Sequence, residues 1–464
     1  MVALLLLPLP SLAQGDGWNW YFGSYAGLNF SAGSPVPLTN SALSSYEGTS
    51  AISDASGQLL FYTNGLEVAD ASHNVMPNGT GLAGDSSSAQ GAIIVQQPMS
   101  DSLYYLFNVD YNQSSNAVPG QGFTYSIVDM SLNGGLGDVT VKNEPVRPQV
   151  REKITAIRHA NGVDYWIVII DWIDDEIYAY LFDENGLSMT PVISNVGPFH
   201  NGQWQTTTGY LKASRQNDRI ASATWNNDQV ILAAFNNSTG VADNRQEIGT
   251  ANNGAMANTY GIEFSPDGSK LYTSTLANPH KILQFDLSLG NGADMFAARD
   301  TVVRVVSGVN YYFGALQVGP DGKIYCAVKD NDSLSVINAP NEAGALCNYG
   351  HLTVPLDGRF CRLGLPNFVS DVVVPTGIRD LPKPTAAALH SWYTSGMLNV
   401  TMPAWPVTSA VQVAIHDASG CLVYAHTLPA APSLSIGLGE LASGAYSVRL
   451  HAAGRSAAGR FVVN

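Results

Sequence analysis

One short unit recurs in this sequence, and it limits the possible folds more than any other feature. The unit is a β-hairpin with Pro-Asp-Gly at its turn, seen in Tyr260–Ser274 and again, just over 50 residues later, in Phe313–Val328. A third apolar run follows each copy, at Lys281–Leu287 and at Ser333–Asn338. Antiparallel strands that repeat at this spacing are typical of the four-stranded blades of a β-propeller.

Weaker copies of the hairpin precede these two, with polar turns rich in glycine, asparagine or aspartate. They lie at Thr49–Tyr62, Ala92–Phe107, Ile154–Ile170 and Gly209–Ala221. A further blade would combine Trp18–Gly23 with the late strand Ser370–Val374, which would close the ring and remove its open edges. We therefore predict an all-β fold with a propeller of about seven blades, six and eight blades being the alternatives.

The composition agrees with a turn-rich β protein and restricts its partners. Only 13% of the residues are charged, which is about half the usual share, so asparagine, serine, threonine and glycine must supply the polar surface. Acidic side chains outnumber basic ones by 37 to 22, for a net charge of −15. The sequence has no cluster of lysine and arginine that could displace the counterions of a nucleic acid. Nucleic acid is therefore excluded as a partner, whereas neutral glycans, cations and proteins remain.

Shifts in composition divide the chain into four segments. Residues 1–13 form a short apolar run that ends in a small-x-small pattern, which predicts a signal peptide; no basic residue precedes it, as expected for a truncated start. The predicted propeller occupies residues 14–375, and the proline-rich residues 376–388 read as a linker. Residues 389–464 contain short alternating strands, typical of a small immunoglobulin-like β-sandwich. No segment is apolar enough to predict a transmembrane helix.

The last segment carries a recognisable set of motifs. A strand ends in Asp417 and Gly420, a Leu-x-x-Gly-x-Tyr-x-Val element contains Gly444 and Tyr446, and a basic-apolar terminus begins at Arg460. Over about 75 residues this pattern resembles the type A sorting domain of the type IX secretion system of Bacteroidota. The resemblance implies the type IX machinery as a partner, export through the periplasm, and a final location outside the cell or on the outer-membrane surface.

Other stretches are dispersed over the predicted propeller. They are Trp20–Phe30, Leu59–Gly65, Val75–Gly81 and Gly364–Phe368. Together they resemble a family of secreted propellers from the same bacteria, and this resemblance implies an architecture but no reaction.

Few residues suggest a binding site. The candidates are His200, which lies in a loop, and Asp171 and Asp174, which belong to the densest acidic cluster. The alternative interpretations are an ordinary loop histidine and a solvated hairpin tip. An oxygen-rich loop can hold calcium, but the Asp-x-Asp-x-Asp-Gly spacing of a calcium loop is absent. We predict no cofactor and no metal site, with calcium as the alternative, and no known catalytic motif is present.

The four cysteines form no Cys-x-x-Cys pair, so zinc and thioredoxin-like chemistry are not predicted. Cys347 and Cys361 flank a loop that contains glycine and proline. In an oxidising compartment they would form a disulfide that closes this loop. Cys326 lies within an apolar strand and is expected to be a small buried side chain.

These features leave three functions open. The first is a binding or adhesion module that presents loops to a glycan or a protein, and the lack of a catalytic motif favours it. The second is an enzyme, a glycan-active or lactonase-like hydrolase, which requires titratable groups that converge on one mouth of the central channel. The third is a structural component of the cell surface.

Overall fold

The computed structural model describes residues 16–110, 122–172, 174–197, 204–249, 254–306, 312–370, 390–401, 410–417, 422–429, 431, 433–439, 441–452 and 455–463. The chain divides into two compact units, residues 1–376 (unit 1) and residues 377–464 (unit 2). The predicted signal peptide and the predicted linker lie outside the described residues.

The described part of unit 1 consists mainly of seven antiparallel sheets that follow one another along the chain. Sheet 1 contains β1 (Asn19–Phe22), β2 (Ala26–Asn29) and β3 (Val36–Leu38). Sheet 2 contains β4 (Ser50–Ser53), β5 (Leu59–Thr63), β6 (Glu67–Asp70) and β7 (Val75–Thr80). Sheet 3 contains β8 (Ala92–Gln96), β9 (Leu103–Val109), β10 (Phe123–Asp129) and β11 (Asp138–Arg147). Sheet 4 contains β12 (Val150–Arg158), β13 (Tyr165–Asp171), β14 (Glu176–Asp183), β15 (Gly186–Leu187) and β16 (Val192–Asn195).

The remaining sheets of unit 1 repeat the same four-stranded order. Sheet 5 contains β17 (Leu211–Ala213), β18 (Arg219–Thr224), β19 (Gln229–Asn236) and β20 (Val241–Ile248). Sheet 6 contains β21 (Thr259–Phe264), β22 (Lys270–Thr275), β23 (His280–Asp286) and β24 (Asp300–Val305). Sheet 7 contains β25 (Phe313–Val318), β26 (Ile324–Val328), β27 (Ser333–Ile337) and β28 (Tyr349–Pro355). Each of the six predicted hairpins is confirmed as the first two strands of one sheet, from sheet 2 to sheet 7.

The turn residues explain why these hairpins form. In sheet 6 the Asp267 carboxylate accepts hydrogen bonds from the Ser265 hydroxyl at 2.7 Å and from the Ser269 amide at 2.9 Å. Gly268 adopts a φ of +72°, a conformation that costs glycine little. The side chain thus closes the turn locally, before any contact with another sheet is made.

The apolar core lies in layers between successive sheets. In β13, Ile167 and Ile169 pack toward sheet 3, whereas Trp166, Val168 and Ile170 pack toward sheet 5. Successive side chains of a strand point to opposite faces of the sheet, so a strand buried on both faces must be apolar throughout. This explains the continuous apolar run of β13, and it places sheet 4 between its two neighbours, as in a propeller.

The first strands of neighbouring sheets meet, and the chain ends of unit 1 close the ring. Asn367 donates to the carbonyl of Thr49 beside sheet 2 at 2.8 Å, and Ala315 of β25 donates to the carbonyl of Leu363 at 2.7 Å. The segment 360–369 (the closing segment) therefore fills the gap between sheets 7 and 2. It also pairs with the N-terminal sheet through Ser24 and Phe360. The predicted partner of the N-terminal strand was residues 370–374, most of which lie outside the described residues.

Unit 2 contains two further antiparallel sheets. Sheet 8 contains β29 (His390–Thr394), β30 (Met397–Thr401) and β33 (Ser433–Gly437), and sheet 9 contains β31 (Val411–His416), β32 (Leu422–Leu428), β34 (Gly444–Ala452) and β35 (Arg455–Val463). Both sheets contribute to one core, for example Val400 and Ile436 from sheet 8 and Val413 and Val448 from sheet 9. The two sheets of unit 2 therefore pack face to face.

Helical structure is scarce in the part of the chain that the structure covers. It comprises α1 (Gly292–Ala297) and four short 3-10 helices, at Asn133–Gly135, Trp204–Thr207, Leu287–Leu289 and Gly344–Cys347. None of these described helices has the length and apolarity needed to cross a membrane.

Candidate functional site

The two acidic candidates lie at the end of β13 and in the turn after it. Asp171 is 5% exposed, and its Oδ1 accepts hydrogen bonds from Nε and Nη2 of Arg147 at 3.0 and 2.6 Å. The backbone amide of Asp174 donates to Oδ2 of Asp171 at 3.2 Å. The two residues are therefore brought together, but the Asp171 carboxylate is buried and holds Arg147, so it is not a solvated hairpin tip. His200 lies outside the described residues.

The predicted disulfide between Cys347 and Cys361 is not formed, and both residues are free thiols. Most of the chain between them is strand β28, and seven extended residues span roughly 20 Å, which carries the two sulfurs apart. Cys361 Sγ lies 2.7 Å from the carbonyl oxygen of Val328, and burial raises the pKa of this thiol to about 11. Cys326 is fully buried in β26, as predicted.

The residues predicted for the sorting signal lie along one sheet of unit 2. Asp417 directly follows β31, Gly444 begins β34, and Arg460 pairs with Ser447 in the ladder between β34 and β35. The Tyr446 ring stacks on Phe461 with 5.4 Å between ring centroids, and its hydroxyl donates to the carbonyl of Ala442 at 2.8 Å. Tyr446 therefore anchors the last strand. Gly420 lies outside the described residues.

An opening in unit 1 lies where the first strands of sheets 2 and 3 end, and we call it the Tyr104 cleft. Its cavity volume is about 250 Å³, just below the usual range of small-molecule sites. Its lining combines apolar residues with a few polar groups. The residues are Asp16, Ile52, Ser53, Asp54, Ala55, Ile94, Val95, Gln96, Tyr104, Tyr165 and Val369.

The electrostatics of the Tyr104 cleft are negative. Burial, together with the nearby carboxylates of Asp16, Asp54 and Asp101, raises the pKa of Tyr104 to about 12, so its phenol stays protonated and can donate a hydrogen bond. Burial also opposes ionisation of Asp54, but hydrogen bonds from Ser56 and Gln58 outweigh this effect and lower its pKa. The cleft therefore offers carboxylate acceptors, a phenol and aromatic surface, which disfavours anions and suits hydroxyl groups.

A second cavity, the Lys212 pocket, lies where the first strands of sheets 5, 6 and 7 end. Lys212 Nζ lies 3.5 Å from Oε2 of Glu263, with both side chains about 5% exposed, and it also donates to Oε1 of Gln317. The backbone amides of Phe264 and Val318 donate to the Glu263 carboxylate at 3.0 and 3.1 Å. Three neighbouring sheets therefore each contribute one polar side chain to a single buried cluster.

The two titratable groups of the Lys212 pocket are perturbed in opposite directions. Burial lowers the pKa of Lys212 and raises that of Glu263, and in each case the partner opposes the shift. The cavity volume of the pocket is about 20 Å³, which is room for little more than one water molecule. These groups therefore satisfy each other, and no substrate-sized space adjoins them.

The sequence holds a signal for the Lys212 pocket that the predicted site residues did not include. Lys212, Glu263 and Gln317 each stand two residues before the turn of their repeat, at Ser214, Ser265 and Gly319. Polar side chains at one position of an otherwise apolar strand indicate a shared polar cluster, since buried polar groups must find partners. No such pattern predicts the Tyr104 cleft, because its lining residues occupy different positions in their repeats.

Within the described ranges, no three or more histidine, cysteine, aspartate or glutamate side chains gather into a group that could hold a metal ion.

Comparison with known proteins gives only remote similarity. No protein-family model matches the sequence, and no curated protein matches it. Among solved structures, a proposed 6-phosphogluconolactonase from Bacteroides uniformis is 16% identical with a TM-score of 0.46, covering 75% of this chain and 98% of its own. A second one, from Bacteroides fragilis, is 13% identical with a TM-score of 0.41, covering 77% and 99%. A Lactobacillus plantarum protein is 14% identical with a TM-score of 0.40, covering 75% and 99%. At these values the similarity assigns no activity to this chain.

Proposed function

We propose that this protein is an exported binding module whose propeller holds a neutral, hydroxyl-rich ligand such as a glycan in the Tyr104 cleft. The observation that carries this proposal is the cleft itself, which combines an open cavity of about 250 Å³ with aromatic surface and carboxylate acceptors at one end of the ring. Sites of this composition orient a ligand with few polar groups and bind it through apolar contact.

We also propose that the ring has seven blades. Sheets 2 to 7 supply six of them. The seventh combines sheet 1 with the closing segment, and the backbone hydrogen bond from Ser24 to Phe360 at 2.8 Å supports this combination. A ring closed by both ends of its chain has no exposed inner edge to pair with other molecules.

Replacing Tyr165 with alanine is expected to weaken ligand binding about two- to tenfold. Tyr165 is half-buried in the lining of the cleft, and a lost aromatic contact costs about 0.5–1.5 kcal/mol. Ligands would first be found on a glycan array with the full chain, and affinities then measured by titration calorimetry. Tyr46→Ala is the matched control, because Tyr46 is 37% exposed and does not line the cleft. Equal losses in both variants, or no ligand on the array, would contradict the proposal.

We propose that unit 2 is an immunoglobulin-like sorting domain that directs export through the type IX machinery to the cell exterior or the outer-membrane surface. The resemblance in its motifs supports this, and so does the structural use of Tyr446, which anchors the final strand. Removal of this domain would then leave the propeller attached to the surface or released.

Tyr446→Ala is expected to abolish export from a host that has a type IX system. The substitution removes the stack on Phe461 and the hydrogen bond to Ala442, so the last strand loses its anchor. Surface and medium fractions would be compared with the periplasm by immunoblotting. Trp392→Ala is the control in the same unit, because Trp392 is 50% exposed. Normal export of the Tyr446 variant would contradict the proposal that Tyr446 supports the sorting role of unit 2.

A glycan-active or lactonase-like hydrolase is the second candidate function. Titratable groups do converge in the Lys212 pocket at one end of the ring, as this function requires, but the pocket has room for little more than one water molecule, so a substrate would have to bind beside it. Hydrolysis of lactones and glycosides by the full chain, lost in Glu263→Gln while binding in the Tyr104 cleft persists, would establish this function in place of simple binding.

A further inference from the structure

Four side chains converge at the other end of the first strands, away from the Tyr104 cleft. They are Glu47, which precedes β4, Glu152 near the start of β12, Tyr210, which precedes β17, and Tyr260 at the start of β21. We call this group the acidic core. Its members come from sheets 2, 4, 5 and 6, so only a closed ring brings them together.

The acidic core is almost completely removed from solvent. Glu47 is 6% exposed, Tyr210 is 1% exposed, and Glu152 and Tyr260 are fully buried. Oε2 of Glu47 and the hydroxyls of Tyr210 and Tyr260 have no partner in good hydrogen-bond geometry among the described residues, although the Tyr260 hydroxyl lies close to the Glu47 carboxyl and the Tyr210 hydroxyl close to the Leu365 backbone. A buried polar atom left without a partner costs about 1–3 kcal/mol, so three such atoms in one place call for a bound group.

The four side chains face one another. The tyrosine rings meet edge to face with centroids 5.4 Å apart, and the Tyr210 amide donates to the Tyr260 carbonyl at 3.0 Å. The Tyr260 hydroxyl interacts electrostatically with both Glu47 and Glu152, and the two carboxyls repel each other, which together with burial raises the pKa of Glu47. Two acids and two phenols therefore lie in one buried cluster.

The cationic side chains nearby are engaged elsewhere. Lys153 follows Glu152 in β12 and so points to the opposite face of the sheet. Its Nζ donates to the carbonyl of Ala223 at 2.6 Å and to the Ser222 hydroxyl at 3.2 Å. Asp85 adds further negative potential at Glu47. The acidic core thus carries a local excess of negative charge. All of its polar side-chain atoms are oxygens.

We propose that the acidic core binds one hard divalent cation, calcium or magnesium, between the carboxylates of Glu47 and Glu152. Carboxylate, hydroxyl and water oxygens are the ligands these cations prefer, and a cation offsets the cost of burying two carboxylates at once. The two carboxylates alone make a smaller ligand set than a dedicated cage, so bound water completes the coordination. This site is independent of ligand binding in the Tyr104 cleft.

The test measures cation content and thermal stability of the full chain. After treatment with a chelator and reloading with calcium or magnesium, we expect about one cation per chain by mass spectrometry and a higher melting temperature, because a ligand that binds only the folded state stabilises it. Glu47→Gln should remove both the bound cation and the stabilisation. Glu184→Gln is the control, since Glu184 is an exposed glutamate on a turn, and it should retain both.

Tyr260→Phe keeps the ring packing and removes one hydroxyl, so it tests the site even if Glu47→Gln fails to fold. We expect it to weaken cation binding roughly tenfold or more. Absence of bound calcium and magnesium from the reloaded wild-type chain would overturn the proposal. A shared proton or a buried water molecule would then be the explanation for the buried carboxyls. Unchanged cation binding in Glu47→Gln, or in Tyr260→Phe, would place the cation elsewhere and overturn it equally.

Discussion

Gly364→Ala should destabilise unit 1 by roughly 3 kcal/mol or more, which is at the upper end for a single substitution. A Cβ atom at this position would lie 1.8 Å from the carbonyl oxygen of Glu47 and 2.3 Å from its carbonyl carbon. Both are backbone atoms, so the clash cannot be relieved by turning a side chain. The closing segment would have to move away from sheet 2, and the hydrogen bond from Asn367 to Thr49 would be strained with it.

The loss would be measured as the free energy of unfolding in urea, followed by tryptophan fluorescence. Gly358→Ala is the graded control in the same region, because its Cβ would meet nothing within 4 Å and only its φ of +77° is unfavourable. That conformation costs about 1–2 kcal/mol for alanine. If Gly364→Ala cost no more than Gly358→Ala, the closing segment would not hold the ring together as described.

Lys212→Met should destabilise unit 1 by roughly 3–5 kcal/mol, because it leaves the Glu263 carboxylate buried without its cation. A double substitution, Lys212→Met with Glu263→Met, should recover most of this loss, since apolar side chains of similar size satisfy a buried site without any charge. Together with the single variant Glu263→Met, these measurements isolate the interaction of the two residues. Equal stability of the wild type and all three variants would show that the pair is not buried in solution.

The loss in Lys212→Met should also depend on pH. Burial raises the pKa of Glu263 above its ordinary value of 4.5, and Lys212 opposes this shift, so the pKa rises further once Lys212 is removed. A carboxyl group whose pKa is raised by folding favours the folded state below its ordinary pKa, and this stability is lost as the pH rises through the folded value. The free energy of unfolding of Lys212→Met should therefore approach that of the wild type at acid pH and fall below it toward neutral pH. Urea unfolding at several pH values would show this, and a constant difference would contradict it.

Much of the fold was predictable because its signals are local. The hairpins of sheets 2 to 7 follow from turn residues such as Asp267 and Gly268, which close a turn through their own hydrogen bonds and backbone freedom. Alternating strands such as β31 and β34 were visible for the same reason, since a strand with one buried face repeats every second residue. Strands β29 and β30 went unpredicted.

The candidate sites were not predictable, because their residues meet only when the ring closes. Asp16, Tyr104 and Tyr165 line one cleft but come from three different sheets or their edges. The disulfide prediction failed for a related reason: Cys347 and Cys361 are near in sequence, but strand β28 separates them in space. Short separation along an extended chain is no guide to proximity.

The closing segment also determines when this protein can fold. The hydrogen bond between Ser50 and Asn367 joins positions 317 residues apart, and the bond between Ser24 and Arg362 spans 338 residues. Contacts of such high sequence separation are slow to form. A chain emerging from the ribosome can complete individual hairpins early, but its ring must remain open until residue 367 is available. Under the export that we propose above, we expect this delay to keep the chain incompletely folded and competent for transport until translation of the propeller is complete.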